Sequence, residues 1–230
     1  MRRIAIIDYG MGNIRSVQKA CEFLGHTASL VHEPSALAEA DHVILPGVGA
    51  FADAIAQLRQ SGFDKALRQY VCTGKPLLGI CLGMQLFFES CTEGSQLHGI
   101  QTGLGFFPGL VTRFPSSLDV KIPHIGWNEV ETRPSKLFAE LPPSFYAYFV
   151  HSYQVSHTEL PSAIGLTQHG HYFVSAVEQG NVLATQFHPE KSGTVGLKIL
   201  ENFLSLTPND FTAKAKEKLG TSKTGGAPLC

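Results

Sequence analysis

The sequence predicts an α/β protein: an open sheet with a parallel core, helices on both faces and antiparallel strands added to it. Three observations lead there. Over the first ninety residues, short apolar runs alternate with stretches of helical period, the pattern of a parallel sheet covered on both faces. Residues 100–187 carry several strand-like runs separated by Pro and Gly, with little helical periodicity. Helical spacing returns at Ser192.

Taken in order, Arg3 to Asp8 is a short apolar run ended by the turn signal Tyr9-Gly10-Met11-Gly12. Asn13 can cap a helix carrying Ile14, Val17, Cys21 and Leu24 near helical spacing, closed by Gly25. Thr27 to Val31 and His42 to Pro46 read as the next strands, and Phe51 to Ser61 as a helix. Lys75-Pro76 leads into a buried strand, Leu77 to Cys81, followed by a helix over Leu82 to Glu89. Strand-like runs follow at Leu110 to Phe114, Ser144 to Val150, Tyr172 to Val177 and Val182 to Phe187. The last helix, Ser192 to Leu204, has Val195, Ile199 and Phe203 four residues apart. The expected domain is residues 1–207. Residues 208–230 form a polar tail, with a Lys-rich helix over Phe211 to Leu219 and a frayed end over Thr221 to Cys230.

Composition narrows the function. With 43% apolar and 16% charged residues, the chain can build a core and is not disordered. The net charge of −1 excludes a strongly basic nucleic-acid footprint, and no apolar run approaches the ~18 residues of a spanning helix. The lead MRRIAIID has too short an apolar run for a secretory segment. Five cysteines is an odd count at spacings of neither a disulfide framework nor a CxxC metal site. A reducing cytoplasm with no membrane association is the expected setting. His169-Gly170-His171 lacks nearby Cys or acidic partners at ligand spacing, so no metal is expected. No phosphate loop of Walker type is present.

The sharpest local signal is Gly79-Ile80-Cys81-Leu82-Gly83. It places a cysteine between small residues where a strand becomes a helix, the setting of a nucleophile elbow. The N-terminal dipole of the helix favours a thiolate, and the Leu82 N–H points toward where an oxyanion would form. Against this stands the ordinary fate of a free cysteine as a small apolar residue; Cys21, Cys72, Cys91 and Cys230 are given that reading or plain surface exposure. Gln186-Phe187-His188-Pro189-Glu190 supplies a base and an orienting carboxylate at the end of a strand; a helix start is the plain alternative. Pro46-Gly47-Val48-Gly49-Ala50-Phe51 is either a strand-to-helix turn or a second oxyanion donor, the Val48 amide, on a backbone able to flip. All three segments end strands, and sites in open α/β sheets lie at that edge.

At these residues the chain resembles the class I, triad-type glutamine amidotransferases. The likeness rests on Gly79 to Gln85, on His188-Pro189-Glu190 and on Pro46 to Gly49, and runs in order to about residue 205. It implies a flavodoxin-like open sheet and a glutaminase needing no cofactor. Cys81 would attack the glutamine side-chain amide, His188 held by Glu190 would act as acid and base, and the Val48 and Leu82 amides would form the oxyanion hole. Gly47, Gly49, Gln85, His151 and Ser152 resemble substrate-lining positions; Gln85 as a solvated helix residue and His151 as a satisfied core group remain alternatives. Asp8 to Asn13, Pro46 to Phe51, Met84 beside Gln85 and Pro123 to Asn128 are together similar to the subgroup that serves histidine biosynthesis. There ammonia passes to a separate cyclase subunit of (β/α)8-barrel fold in a heterodimer. Asn13, Trp127, Asn128 and Tyr148 are the candidate partner-facing residues, with Asn13 as a plain helix cap and Trp127 in the core as alternatives. Competing functions are a glutaminase for anthranilate, aminodeoxychorismate, GMP or carbamoyl phosphate synthesis, a partner-independent Cys-His hydrolase, and a non-enzymatic binding module.

Overall fold

The computed structural model describes residues 2–94 and 99–211. The expected helix over Phe211 to Leu219 and the frayed end beyond it lie almost wholly outside these residues. Thirteen strands and five α-helices are described: β1 (Ile4–Ile7), α1 (Ile14–Phe23), β2 (Ala28–Val31), β3 (His42–Gly47), α2 (Phe51–Ser61), α3 (Phe63–Cys72), β4 (Leu77–Cys81), α4 (Leu82–Leu86), β5 (Phe88–Cys91), β6 (Gln101–Thr102), β7 (Phe107–Arg113), β8 (His124–Thr132), β9 (Ser144–His151), β10 (Tyr153–Gln154), β11 (Ala163–His169), β12 (His171–Gln179), β13 (Val182–Thr185) and α5 (Gly193–Ser205).

The main sheet has nine strands in the order β2-β1-β3-β4-β13-β12-β11-β8-β9. The first five are parallel, and the last four extend the sheet in antiparallel fashion. Strands buried on both faces explain the near-continuous apolar runs. In β1, Ala5 and Ile7 enter a core with α2 and α3, through Phe51, Leu58, Phe63 and Leu67. Ile4 and Ile6 enter the opposite core with α1 and α5, through Val17, Cys21, Ile199 and Phe203. A four-stranded sheet, β10-β7-β5-β6, caps the first core with Phe88, Phe107 and Val111.

Several elements depart from the sequence expectation, among them the following. The helix after Cys81 ends at Leu86, and Phe88–Cys91 is a strand, because Phe87 and Phe88 are drawn into the core beneath the small sheet. Helix α3 was not anticipated, although Phe63, Leu67, Tyr70 and Val71 lie on one buried face; Gly62 at φ +81° breaks the helical run and restarts it at once. Strand β8 was also unforeseen. Its alternation is inverted, with His124 buried and Asn128 partly so while Ile125 and Trp127 face outward.

The register sets the site. Gly47 of β3 pairs with Cys81 of β4, and Thr185 of β13 pairs with Ile80. The carboxyl ends of β3, β4 and β13 therefore meet at one edge.

Candidate active site

Cys81 ends β4 with φ 56° and ψ −109°, a conformation that strains any residue with a Cβ and recurs at functional sites. The flanking glycines make the bend possible. A Cβ at Gly79 would lie 2.6 Å from the Phe87 ring, and one at Gly83 would lie 2.0 Å from the Leu45 carbonyl oxygen. The residue is buried, yet its side chain borders a cavity of about 300 Å3.

His188 follows β13 in extended conformation, and Pro189 opens a single 3-10 turn, Pro189–Lys191. Its Nδ1 and Glu190 Oε1 are 2.8 Å apart, both side chains almost fully buried. Nε2 has no hydrogen-bond partner, although Cys81 is the neighbour that acts on it. Burial pushes the imidazolium down, but the Cys81 sulfur and the Glu190 carboxylate outweigh it and raise the pKa to about 10. The backbone is pinned as well: the Ser192 hydroxyl donates to the His188 carbonyl at 2.6 Å, and the His188 N–H donates to the Tyr148 carbonyl at 2.9 Å. A cationic imidazole beside the sulfur is the charge partner that a thiolate nucleophile requires.

Because the folded pKa lies above the ordinary 6.5, the stabilisation that His188 contributes is complete below that value and is lost as pH climbs through about 10. Exchanging Glu190 for Gln keeps the shape and removes the charge. The expected result is a lower His188 pKa and an earlier alkaline loss of stability, read from an imidazole NMR titration and from unfolding midpoints across pH. An unmoved titration would remove Glu190 from this role.

The cavity is lined by Val48, Gly49, Cys81, Leu82, Gln85, Glu93, Pro123, Val150, His151, Ser152 and Tyr153. Gly47, also expected there, is not a lining residue; it packs beneath the elbow, where an added Cβ would lie 3.0 Å from Leu82 Cβ. Val48 is 41% exposed at the rim, and Gly49 takes φ +104° against the Met11 side chain. Gln85 is buried, not solvated, and donates to the Tyr153 carbonyl at 3.1 Å and to Gln186 Oε1 at 2.9 Å. His151 is both a satisfied core group and a lining residue.

The four partner-face candidates separate. Trp127 is 56% exposed beside Ile125 at 60%, so it does not belong to the core. Tyr148 is half-buried. Asn128 faces the other side of β8 and donates to the Gln168 carbonyl at 2.9 Å. Asn13 makes no side-chain cap; its amide instead donates to Glu190 Oε1 at 3.4 Å.

Two site residues had escaped the sequence reading. Gln186, fully buried, donates to the Cys81 sulfur at 3.7 Å; its place next to Phe187-His188 was the available signal. Among the described residues Glu93 is the one charged residue on the cavity wall, and its carboxylate also accepts the Phe51 N–H at the start of α2. No local pattern marks it. Among the described residues, no group of three or more His, Cys, Asp or Glu is placed to hold a metal, and no helix is long and apolar enough to cross a membrane.

A strained cysteine at the carboxyl edge of a parallel sheet, with an imidazole and its carboxylate on the adjoining strand end, fits the class I glutamine amidotransferases. A family model described as Glutamine amidotransferase class-I matches residues 5–206, and the chain belongs to that family. Its relatives include imidazole glycerol phosphate synthase subunit HisH of Moorella thermoacetica, 48% identical over 88% of this chain and 94% of that protein. The subunit of the same name from Desulfitobacterium hafniense is 47% identical over 92% of this chain and 98% of its own. A solved glutamine amidotransferase shares the fold at TM-score 0.67 with 23% identity, covering 87% of this chain and 96% of that one. PurLQS from Thermotoga maritima does so at TM-score 0.69 with 19% identity, covering 89% and 98%.

Proposed function

We propose that the chain is the glutaminase subunit of imidazole glycerol phosphate synthase, in a cytoplasmic heterodimer with a separate (β/α)8-barrel cyclase. The observation that carries this reading is the 48% identity over nearly the whole length of a HisH subunit, joined to a complete Cys81–His188–Glu190 constellation.

The geometry supports the following chemistry. The Cys81 sulfur attacks the carboxamide carbon of glutamine, and the Val48 and Leu82 N–H groups receive the developing oxyanion. Losing one such donor typically costs about 3–4 kcal/mol of transition-state stabilisation. The C–N bond breaks as the imidazolium of His188 gives its proton to the leaving nitrogen, which departs as ammonia. His188 then takes a proton from water, the hydroxyl adds to the thioester, and glutamate leaves as the C–S bond breaks. Glu93, the sole carboxylate on the wall among the described residues, suits the substrate ammonium, and the His151 to Tyr153 turn suits the substrate carboxylate. Gly47, Gly49 and Gln85 support the loop and the wall around them.

Ammonia freed into water would be protonated and lost. A cyclase docked over the exposed Ile125 and Trp127, near Asn13, Asn128 and Tyr148, would take it directly and convert a phosphoribulosyl-formimino nucleotide into imidazole glycerol phosphate and AICAR. The Gly47-Val48-Gly49 loop supports control by that partner, since partner binding can shift its population toward the complete oxyanion hole.

The test combines the purified chain with a histidine-pathway cyclase subunit. Glutamine-dependent imidazole glycerol phosphate formation and a glutaminase rate at least about tenfold above that of the lone chain are expected. A lone chain already at full rate, or a mixture that never forms product from glutamine, would end the proposal.

A further inference from the structure

A run of hydrogen bonds enters the cavity wall from β8, and every proton in it can be assigned from its partners. His151 Nδ1 lies 2.8 Å from the Tyr153 carbonyl oxygen. A carbonyl only accepts, so this nitrogen carries the hydrogen and Nε2 is left as an acceptor. His151 Nε2 lies 3.0 Å from His124 Nδ1, which must donate. His124 Nε2 is then the acceptor for Asn128 Nδ2 at 3.1 Å. The second hydrogen of that amide goes to the Gln168 carbonyl at 2.9 Å. No link can be reversed without leaving a donor against a donor.

Two further observations agree. Burial lowers the His124 pKa to about 4 and that of His151 to about 3, so both rings are neutral, as the direction of the run demands. The His124 ring is also held flat, stacked on Phe149 at 4.8 Å and on His169 at 4.1 Å between centroids. Packing alone would be served by phenylalanine; what an imidazole adds here is a donor on one side and an acceptor on the other.

The far end of the run borders the substrate cavity. The Tyr153 carbonyl that receives His151 also receives Gln85 at 3.1 Å, and His151, Ser152 and Tyr153 all line the cavity. We propose that Asn128, His124 and His151 form a hydrogen-bond chain of fixed direction that holds the 151–153 turn in its glutamine-binding shape, which makes His124 a positioning residue for the substrate. The inference rests on the glutaminase reading. The chain supports the wall, and its hydrogen bonds run to Tyr153 and Gln168 and not to His188 or Glu190, so breaking it weakens glutamine binding more than the chemical step.

The experiment compares His124→Phe with His124→Asn in the full chain, assayed with the cyclase partner. Phenylalanine keeps the stack and removes both nitrogens. Asparagine sets its amide nitrogen where Nδ1 stood and restores the donor to His151. Expected are a KM for glutamine raised about tenfold in His124→Phe, as for one buried acceptor left unpaired, with kcat within about threefold, and a KM within about threefold of the parent in His124→Asn. In the unmodified chain, 15N spectra of the imidazoles should show both His124 and His151 neutral and protonated at Nδ1. An unchanged KM in His124→Phe, an asparagine variant as impaired as the phenylalanine one, or an Nε2-protonated or charged ring at either position overturns the proposal. Should the parent fail to hydrolyse glutamine at all, it is the glutaminase reading that falls, and the spectra still decide the chain.

Discussion

Replacing Cys81 with alanine should reduce glutamine hydrolysis by about 10^4-fold or more, to what binding and the oxyanion donors alone can supply. An electrophilic glutamine analogue should label the parent on the peptide containing Cys81 and leave the variant untouched. Hydrolysis at the parental rate in Cys81→Ala would refute the mechanism. Stability should move differently. Alanine keeps the Cβ and with it the φ 56° conformation. Glycine at the same position releases strain of about 1–3 kcal/mol, against about 0.5–1 kcal/mol of added chain entropy in the unfolded state. Cys81→Gly should therefore be as inactive as Cys81→Ala but more stable, seen as a higher urea midpoint. In the proposed mechanism the strain belongs to the nucleophile's position, and it is retained because a relaxed backbone would aim the sulfur elsewhere.

The largest effect on folding is expected at Gly83. An alanine Cβ there would sit 2.0 Å from the Leu45 carbonyl oxygen. That oxygen belongs to β3, whose ladder to β4 pairs Leu45 with Gly79 and Gly47 with Cys81. The obstacle is backbone in the middle of a sheet, so it cannot yield as a side-chain end would. Gly83→Ala should lose about 3 kcal/mol or more, measured by urea unfolding, or fail to accumulate as folded protein. Gly25→Ala is the comparison. Gly25 has φ +80° with nothing within 4 Å of its Cβ position, so only the backbone term of about 1 kcal/mol applies. Equal losses at the two sites would refute the steric account of the elbow.

Much of the fold was legible because its central strands are buried on both faces, and their runs of Ile, Val and Leu are hard to read otherwise. Cys81, His188 and Glu190 were legible because short sequence patterns hold them: glycines spaced for a bend, and a proline that fixes the residue before it. The rest depends on tertiary placement. Glu93 reaches the cavity from beyond β5, where nothing local distinguishes it from a solvated acid. Asn13 has the composition of a helix cap, yet its amide turns to the nearby Glu190 carboxylate. Strand β8 misled because periodicity arguments assume apolar residues inside. Here His124 is buried, with Asn128 partly so on its face, satisfied by hydrogen bonds, while Trp127 stands in the open.

Strand β13 lies directly against β4 in parallel, although about a hundred residues of chain run between them. The spacing of sulfur and imidazole is thus set by a ladder of backbone hydrogen bonds and not by the length or content of the intervening polypeptide. Loops in that stretch that do not build the cavity wall can change in length while the sulfur and the imidazole keep their spacing.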